Sequence, residues 1–185
     1  MSDKSDMSGN KLQGDLIYLR PIKAGDAGKT YVRWMNDPEV AQFLESRFQK
    51  HTLKSIKDYV ASMRKKRDEY LFAICLADGD RHVGNIKLGP VNKHHRFPHI
   101  GLLIGEKSHW GKGIATESIR LVTEFAFKRL KLHKVMAGCY ASNIGSRRAF
   151  KNVGFIEEGI ERLKWRSNGS FVNGIILGLV NPMEK

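Results

Sequence analysis

The sequence predicts a single-domain α/β (α+β) fold, a mixed and mostly antiparallel sheet flanked by helices. Three observations predict it. The length of 185 residues suits one domain. Apolar residues make up 41% and charged residues 28% of the chain, enough for one core and against wholesale disorder. The apolar spacing changes along the chain from a helical block to a run of strands, and then to strand-helix-strand-helix-strand. No internal repeat interrupts that order.

The elements run in sequence. Residues 1–13 are polar and expected to fray, so a flexible segment (1–14) precedes a domain over 15–185. Residues 16–20 (LIYLR) read as a first strand, stopped by Pro21. Residues 24–36 read as a helix with Tyr31, Trp34 and Met35 on one face. Asp37-Pro38 breaks it, and a short helix comes next. Thr52 is an N-cap for a helix over 53–66, whose Leu53, Ile56, Val60 and Met63 keep helical spacing. Residues 70–77 (YLFAICLA) are nearly all apolar, as in a strand buried on both faces. A turn at Asp78-Gly79-Asp80 makes a hairpin with the strand over 82–90. The strand over 99–105 sets Ile100, Leu102 and Ile104 on one face and His99 and Gly101 on the other. A helix over 114–130, a strand over 133–140 and a helix over 143–152 come next, the last closed by Gly154. Strands over 155–165 and 171–180 close the domain around a Ser167-Asn168-Gly169 turn.

Composition narrows the function. Lys and Arg outnumber Asp and Glu by 32 to 19, a formal net charge of +13 that attracts anions. Zinc-finger spacing, bZIP heptads and RRM aromatics are all missing, so nucleic acid is not an expected partner except by way of the ribosome. No apolar run approaches a membrane span, and no membrane partner is expected. Cys75 and Cys139 sit alone in apolar stretches, which disfavours disulfides and zinc; a cytoplasmic protein is expected. His94, His95 and His99 lie in and beside a connection without a carboxylate partner, so no metal is expected there.

Residues 105–117 (GEKSHWGKGIATE) take a strand through Gly111, Lys112 and Gly113 straight into a helix. Glycines there let backbone approach a ligand, and open N–H groups at a helix N-terminus suit a phosphate. Spacing rejects a Walker A loop, because five residues separate Gly105 from Gly111 and Gly113 comes after the lysine. It also rejects the dinucleotide fingerprint, because Thr116 stands where a Gly or Ala is needed. On the turn alone, a plain turn without ligand stays open.

Together with the segments C-terminal to it, this turn resembles the GNAT superfamily of acetyl-CoA-dependent N-acetyltransferases. The resemblance is carried by WGKGIATE, a helix, a strand, Asn143 and Ser146, Gly154-Phe155 and the EEG beyond, in that order. It is similar to the branch holding ribosomal-protein alanine acetyltransferases and spermidine acetyltransferase. The resemblance implies a GNAT-like sheet and acetyl-CoA as co-substrate. Trp110, Gly113 and Ala115 take the places of the family's Gln/Arg-x-x-Gly-x-Gly/Ala. Backbone N–H groups of Gly111, Lys112, Gly113, Ile114, Ala115 and Thr116 would hold the CoA pyrophosphate. Leu102, Leu103 and Ile104 would pair with the pantetheine arm and polarise the acetyl carbonyl. Asn143 would bond pantetheine, cap its helix, or both. Arg148, with Arg147 and Lys151, would meet CoA phosphates or form a solvated face.

The chemistry sets further demands. An amine must lose a proton, the oxyanion needs donors, and the leaving thiolate calls for an acid. The Tyr acid of many relatives falls at Phe150 here, so that acid is absent. Ser146 matches a Ser of the ribosomal branch and is expected to act as acid or thiol-orienting group, or simply as a helix-start hydroxyl. His99 stands where relatives carry Glu and is expected as the base or a substrate contact, or as an ordinary polar strand residue. Glu45 and Asp37 are weaker candidates. The ribosomal branch's second carboxylate falls at Trp165, so that mechanism does not carry over whole.

On the acceptor side, Arg47 suits a phosphate. Trp34 either stacks a base or sugar or anchors the core. The segment between the first helices resembles acetyltransferases acting on nucleotide-linked amino sugars, as well as relatives acting on protein N-termini, and a small-molecule amine of the first kind is the expected acceptor. A protein N-terminus, such as that of a ribosomal protein, is the alternative, and a non-catalytic CoA- or nucleic-acid-binding module the third. The oligomeric state stays open between monomer and homodimer.

Overall fold

A computed structural model of the chain describes residues 11–184. One sheet runs through it, with strands β1 (Leu12–Gln13), β2 (Ile17–Pro21), β3 (Tyr70–Leu76), β4 (His82–Leu88), β5 (His99–Ile104), β6 (Lys134–Tyr140), β7 (Ile156–Ser167) and β8 (Ser170–Val180). Their spatial order is β1-β2-β3-β4-β5-β6-β8-β7. Every neighbouring pair is antiparallel except β5 and β6. The mixed, mostly antiparallel sheet is therefore present. Of the segment expected to fray, residues 1–10 lie outside the described residues, while Leu12 and Gln13 pair with Leu19 and Tyr18.

Helices cover both faces. On one lie α1 (Lys29–Asn36), α2 (Pro38–Ala41) and α3 (Leu53–Lys65); on the other lie α4 (Ile114–Glu124) and α5 (Ile144–Val153). Strand β3 explains its own apolar run. Phe72 and Ile74 join the core under α4 and α5, while Leu71, Ala73 and Cys75 join the core under α1 and α3. A strand buried on both faces has no polar side to alternate with. Thr52 caps α3, accepting from the Ser55 N–H at 3.1 Å. In the closing turn Asn168 and Gly169 both take positive φ, 49° and 82°, as a two-residue hairpin turn requires.

Two helix expectations are corrected. The helix expected over 24–36 divides into a 3-10 turn at Ala24–Asp26 and α1. Asp26 turns its carboxylate back to the Lys23 N–H at 2.7 Å and to Arg20 with two 2.7 Å bonds, and Gly28 then starts a new helix. The helix expected over 114–130 loosens after Glu124 into a π-turn at Phe125–Arg129.

Sheet pairing creates the feature that matters for function. Strands β5 and β6 share only two register positions, His99 with Met136 and Ile100 with Ala137. Beyond them β5 stays paired with β4 through Ile104, and β6 with β8 through Tyr140. The two strands therefore diverge in a V at their carboxyl ends. Helices α4 and α5 both begin at its mouth.

Candidate active site

Backbone geometry shows what the V presents. The Gly89 N–H donates to the His99 carbonyl at 2.8 Å, and the Gly105 N–H to the Val83 carbonyl at 2.8 Å. In an antiparallel ladder this commits alternate residues, Gly101 and Leu103 among them, to β4. The peptide groups of Leu102 and Ile104 then face the other way, into the V, where β6 no longer pairs with them. The Trp110 indole N–H takes the Ile104 carbonyl at 2.8 Å, tying the following loop to the end of β5. The backbone of Leu102 and the Ile104 N–H remain for a ligand, since buried peptide groups seek partners.

A cavity of about 660 Å³ fills the V. Leu102, Leu103 and Ile104 line one side, and Gly138, Cys139 and Tyr140 the other. At one end it meets Trp110, Gly111, Gly113, Ile114, Ala115 and Thr116. Gly111 and Gly113 have φ of 73° and 81°, a conformation glycine adopts without strain, and no side chain caps α4. The first N–H groups of α4 thus stay open, where the helix dipole favours an anion. Lys112 is exposed and stands outside the lining.

Asn143 and Ser146 also line the cavity. The Asn143 side-chain oxygen accepts the Ser146 N–H at 3.1 Å as the N-cap of α5, which leaves its amide NH₂ for a ligand. The half-buried Ser146 hydroxyl makes no hydrogen bond within the described residues. Arg148 lines the cavity without an acidic partner among the described residues. Its neighbours Arg147 and Lys151 are held by Glu157, at 2.9 and 3.8 Å. An uncapped helix start, left-handed glycines, open strand backbone and one unpaired arginine fit an extended ligand with phosphates at one end.

The opposite end carries residues that sequence reasoning missed. Tyr140 stacks on Trp165 with centroids 5.4 Å apart and planes 24° apart, and Phe43 flanks it at 5.6 Å. The Tyr140 hydroxyl donates to the Glu45 carboxylate and accepts from Arg47 Nη1 at 2.8 Å. Burial first, and then the Glu45 bond, push the phenol pKa above its ordinary value, so the hydroxyl serves as a donor. A bulge in β7 between Glu161 and Trp165 re-aims this part of the strand. The only available signal was position, since Tyr140 ends the strand that leads to the α5 cap.

Four candidate residues lie elsewhere. His99 does not line the cavity; it sits where β5 still pairs with β6, below the V. Desolvation, and then Lys164 and Lys87, hold its pKa below the ordinary histidine value. Trp34 is 1% exposed, which corrects the stacking expectation. Its ring packs against the Gly105 backbone and edge-on to His82 at 5.0 Å, while its N–H bonds Glu106 at 2.9 Å. Arg47 stands behind Tyr140 rather than in the main cavity. Asp37 caps α2 and pairs with Lys107 at 3.0 Å. No three His, Cys, Asp or Glu converge as a metal site among the described residues. No helix among them is long and apolar enough to cross a membrane.

Comparison with known proteins agrees with this geometry. The family model described as the acetyltransferase (GNAT) domain matches residues 17–156. The probable N-acetyltransferase YjcK of Bacillus subtilis is 34% identical over 181 residues, covering 94% of this chain and 99% of its own. Ribosomal-protein-S5-alanine acetyltransferase from Vibrio fischeri superposes with a TM-score of 0.81 at 19% identity, covering 96% of this chain and 100% of its own. Spermidine N-acetyltransferase from Vibrio cholerae, solved with CoA and spermine, gives 0.80 at 20% identity, covering 91% and 97%. The chain belongs to the GNAT acetyltransferase family and is an acetyl-CoA-dependent N-acetyltransferase.

Proposed function

We propose that the acceptor is the primary amine of a small metabolite, an amino sugar linked to a nucleotide, and that it enters at the Glu45, Tyr140 and Trp165 end of the V. The observation that carries this reading is the wall of that end, where aromatic faces beside one carboxylate suit a sugar ring and its amine. The formal charge of +13 favours an acceptor with phosphate and disfavours a polyamine.

In this reading CoA lies with its pyrophosphate on the N–H groups of Gly111 and Gly113–Thr116 and its phosphates near Arg148. The pantetheine arm runs along Leu102–Ile104 and the Asn143 amide. The thioester carbonyl then meets an open β5 N–H, which stabilises the oxyanion formed on attack. The Glu45 carboxylate takes the ammonium proton, directly or through water, while the Tyr140 hydroxyl and Arg47 hold it in place. The amine attacks the carbonyl carbon, the C–S bond breaks, and the Ser146 hydroxyl donates to the departing thiolate. His99, expected as the base, has no part in this route because of where it lies.

Glu45→Gln and Ser146→Ala test the route. Each should lower kcat by about 10²-fold or more, the usual scale of a lost proton-transfer group, while calorimetry still detects acetyl-CoA binding. Full activity in both variants, or its loss in His99→Ala alone, would refute the assignment.

A further inference from the structure

A second cavity of about 430 Å³ adjoins the acceptor end and shares Gln42 and Phe43 with it. It lies between the 3-10 turn Glu45–Phe48 and the β7–β8 turn. Its charged lining is Arg47 and Arg166, with no carboxylate. The main cavity, by contrast, carries Glu45 where it meets this wall and Arg148 in its lining. Around the Tyr140 wall the Glu45 carboxylate thus faces the V, while the charged lining of the second cavity is all basic.

The two arginines are held differently. Arg47 is fixed by neutral oxygens: Nη1 donates to the Leu44 carbonyl at 2.9 Å and the Tyr140 hydroxyl at 2.8 Å, and Nη2 to the Arg166 carbonyl at 2.6 Å. Its guanidinium lies over the Phe48 ring at 4.3 Å. Glu45, 3.6 Å away, meets it from the Tyr140 side. Arg166 is exposed, and its guanidinium has no acidic partner among the described residues. Hydroxyls of Ser142 and Ser167 add neutral donors. A fixed guanidinium, an unpaired one and hydroxyl donors match an oxyanion with several acceptor atoms.

We propose that this second cavity is an anion subsite for the acceptor, so that the substrate is a primary amine whose remote end carries a phosphate or carboxylate. The inference rests on the acceptor reading above. The amine turns toward Glu45, and the anion crosses beside Phe43 to Arg47 and Arg166. Arg166 sets specificity, because its side chain meets only the anion, while its backbone carbonyl alone holds Arg47.

The test uses the full chain saturated with CoA, so that the pyrophosphate site is filled. Calorimetric titrations compare glucosamine 6-phosphate and 2-amino-2-deoxyglucuronate, whose anions at C6 lie away from the C2 amine, with glucosamine. At least one anionic probe should bind about tenfold more tightly than glucosamine, the scale of one charge-assisted hydrogen bond. The tighter anion assigns the site to phosphate or to carboxylate. Arg166→Ala should erase most of that preference and Arg166→Lys should restore part of it. Arg162→Ala, on β7 outside the cavity, should leave it standing. Equal binding of all three probes, no binding of either anion, a preference that survives Arg166→Ala, or one lost equally in Arg162→Ala would each overturn the proposal. Thiol release from acetyl-CoA separates the two claims. Turnover of amines without anion preference sinks only the subsite. Anion-selective binding with no turnover of any amine sinks only the acceptor reading.

Discussion

Replacing Glu117 with glutamine probes how α4 is fastened to the sheet. Glu117 lies one turn into α4 with its side chain 9% exposed. Its Oε1 accepts the Asp15 N–H at 2.8 Å, and its Oε2 accepts the Leu16 and Ile17 N–H groups at 2.9 and 3.0 Å. Arg120 approaches Oε1 at 3.2 Å. The start of β2 is therefore clamped to the helix whose first turn lines the V. In Glu117→Gln the amide oxygen can serve Leu16 and Ile17, but its NH₂ then opposes the Asp15 N–H and Arg120. Orphaning the part-buried Asp15 N–H costs about 1 kcal/mol, the low end for a lost donor partner, and two bonds that lose their charge weaken by about 1 kcal/mol each, giving about 3 kcal/mol. For a chain of this length that is a fall in Tm of about 6–12 °C. The carboxyl pKa is lowered from 4.5: burial opposes this most strongly, but the three backbone N–H groups and Arg120 outweigh it. A depressed pKa contributes stability that is present above the unfolded value and lost as pH falls through the folded one. The gap between wild type and variant should thus be full at pH 7 and close as pH drops below about 4.5. Urea unfolding followed by circular dichroism at several pH values reads both. A gap at pH 7 under about 0.5 kcal/mol, the scale of an ordinary surface change, or a gap unchanged in acid, would refute the reasoning.

Gly105→Ala should destabilise the fold by about 1–3 kcal/mol, the usual cost of overpacking, because its Cβ would lie 2.0 Å from the Trp34 ring; thermal unfolding checks it. Gly113→Ala places a side chain at φ 81°, with only Leu16 near at 3.5 Å, so strain rather than crowding is expected. That strain is about 1–2 kcal/mol, and acetyl-CoA affinity measured by calorimetry should fall several-fold with the fold retained. Trp165→Ala removes the stack on Tyr140 and should raise the acceptor KM about tenfold, the upper end for one aromatic contact, with a much smaller change in acetyl-CoA KM; steady-state kinetics in both substrates read this.

Much of the fold was legible because it arises from local periodicity. The two-faced burial of β3 shows in its unbroken apolar run, and the α5 boundaries show in Asn143 and Gly154. The break at residue 28 was hidden because Asp26 leaves the helix for a partner in β2, a tertiary bond that helical spacing does not encode. The glycine loop and the strand that line the V were singled out through ordered motifs. The V itself was not, because it depends on where two strands stop pairing. Tyr140 and Trp165 were missed since an aromatic residue in a strand reads as core. Of the two readings of Trp34, stacking residue or core anchor, the second is the one its burial matches. The position of His99 outside the cavity was not legible, because a motif position says what it replaces in relatives but not whether its strand is still paired there. Glu45 was among the sequence candidates, but its place beside Tyr140 depends on the chain's path bringing the 3-10 turn there.

The central claim is that the V between β5 and β6 holds acetyl-CoA and delivers its acetyl group to an amine at the Tyr140 end. Free thiol release from acetyl-CoA, measured with amino-sugar nucleotides, N-terminal peptides and polyamines in turn, tests it most directly. Thiol released in step with acetylated amino sugar, and faster than with the other two classes, is the predicted result. Acetyl-CoA that binds yet yields no thiol with any class, or thiol released only with peptides or polyamines, would contradict it.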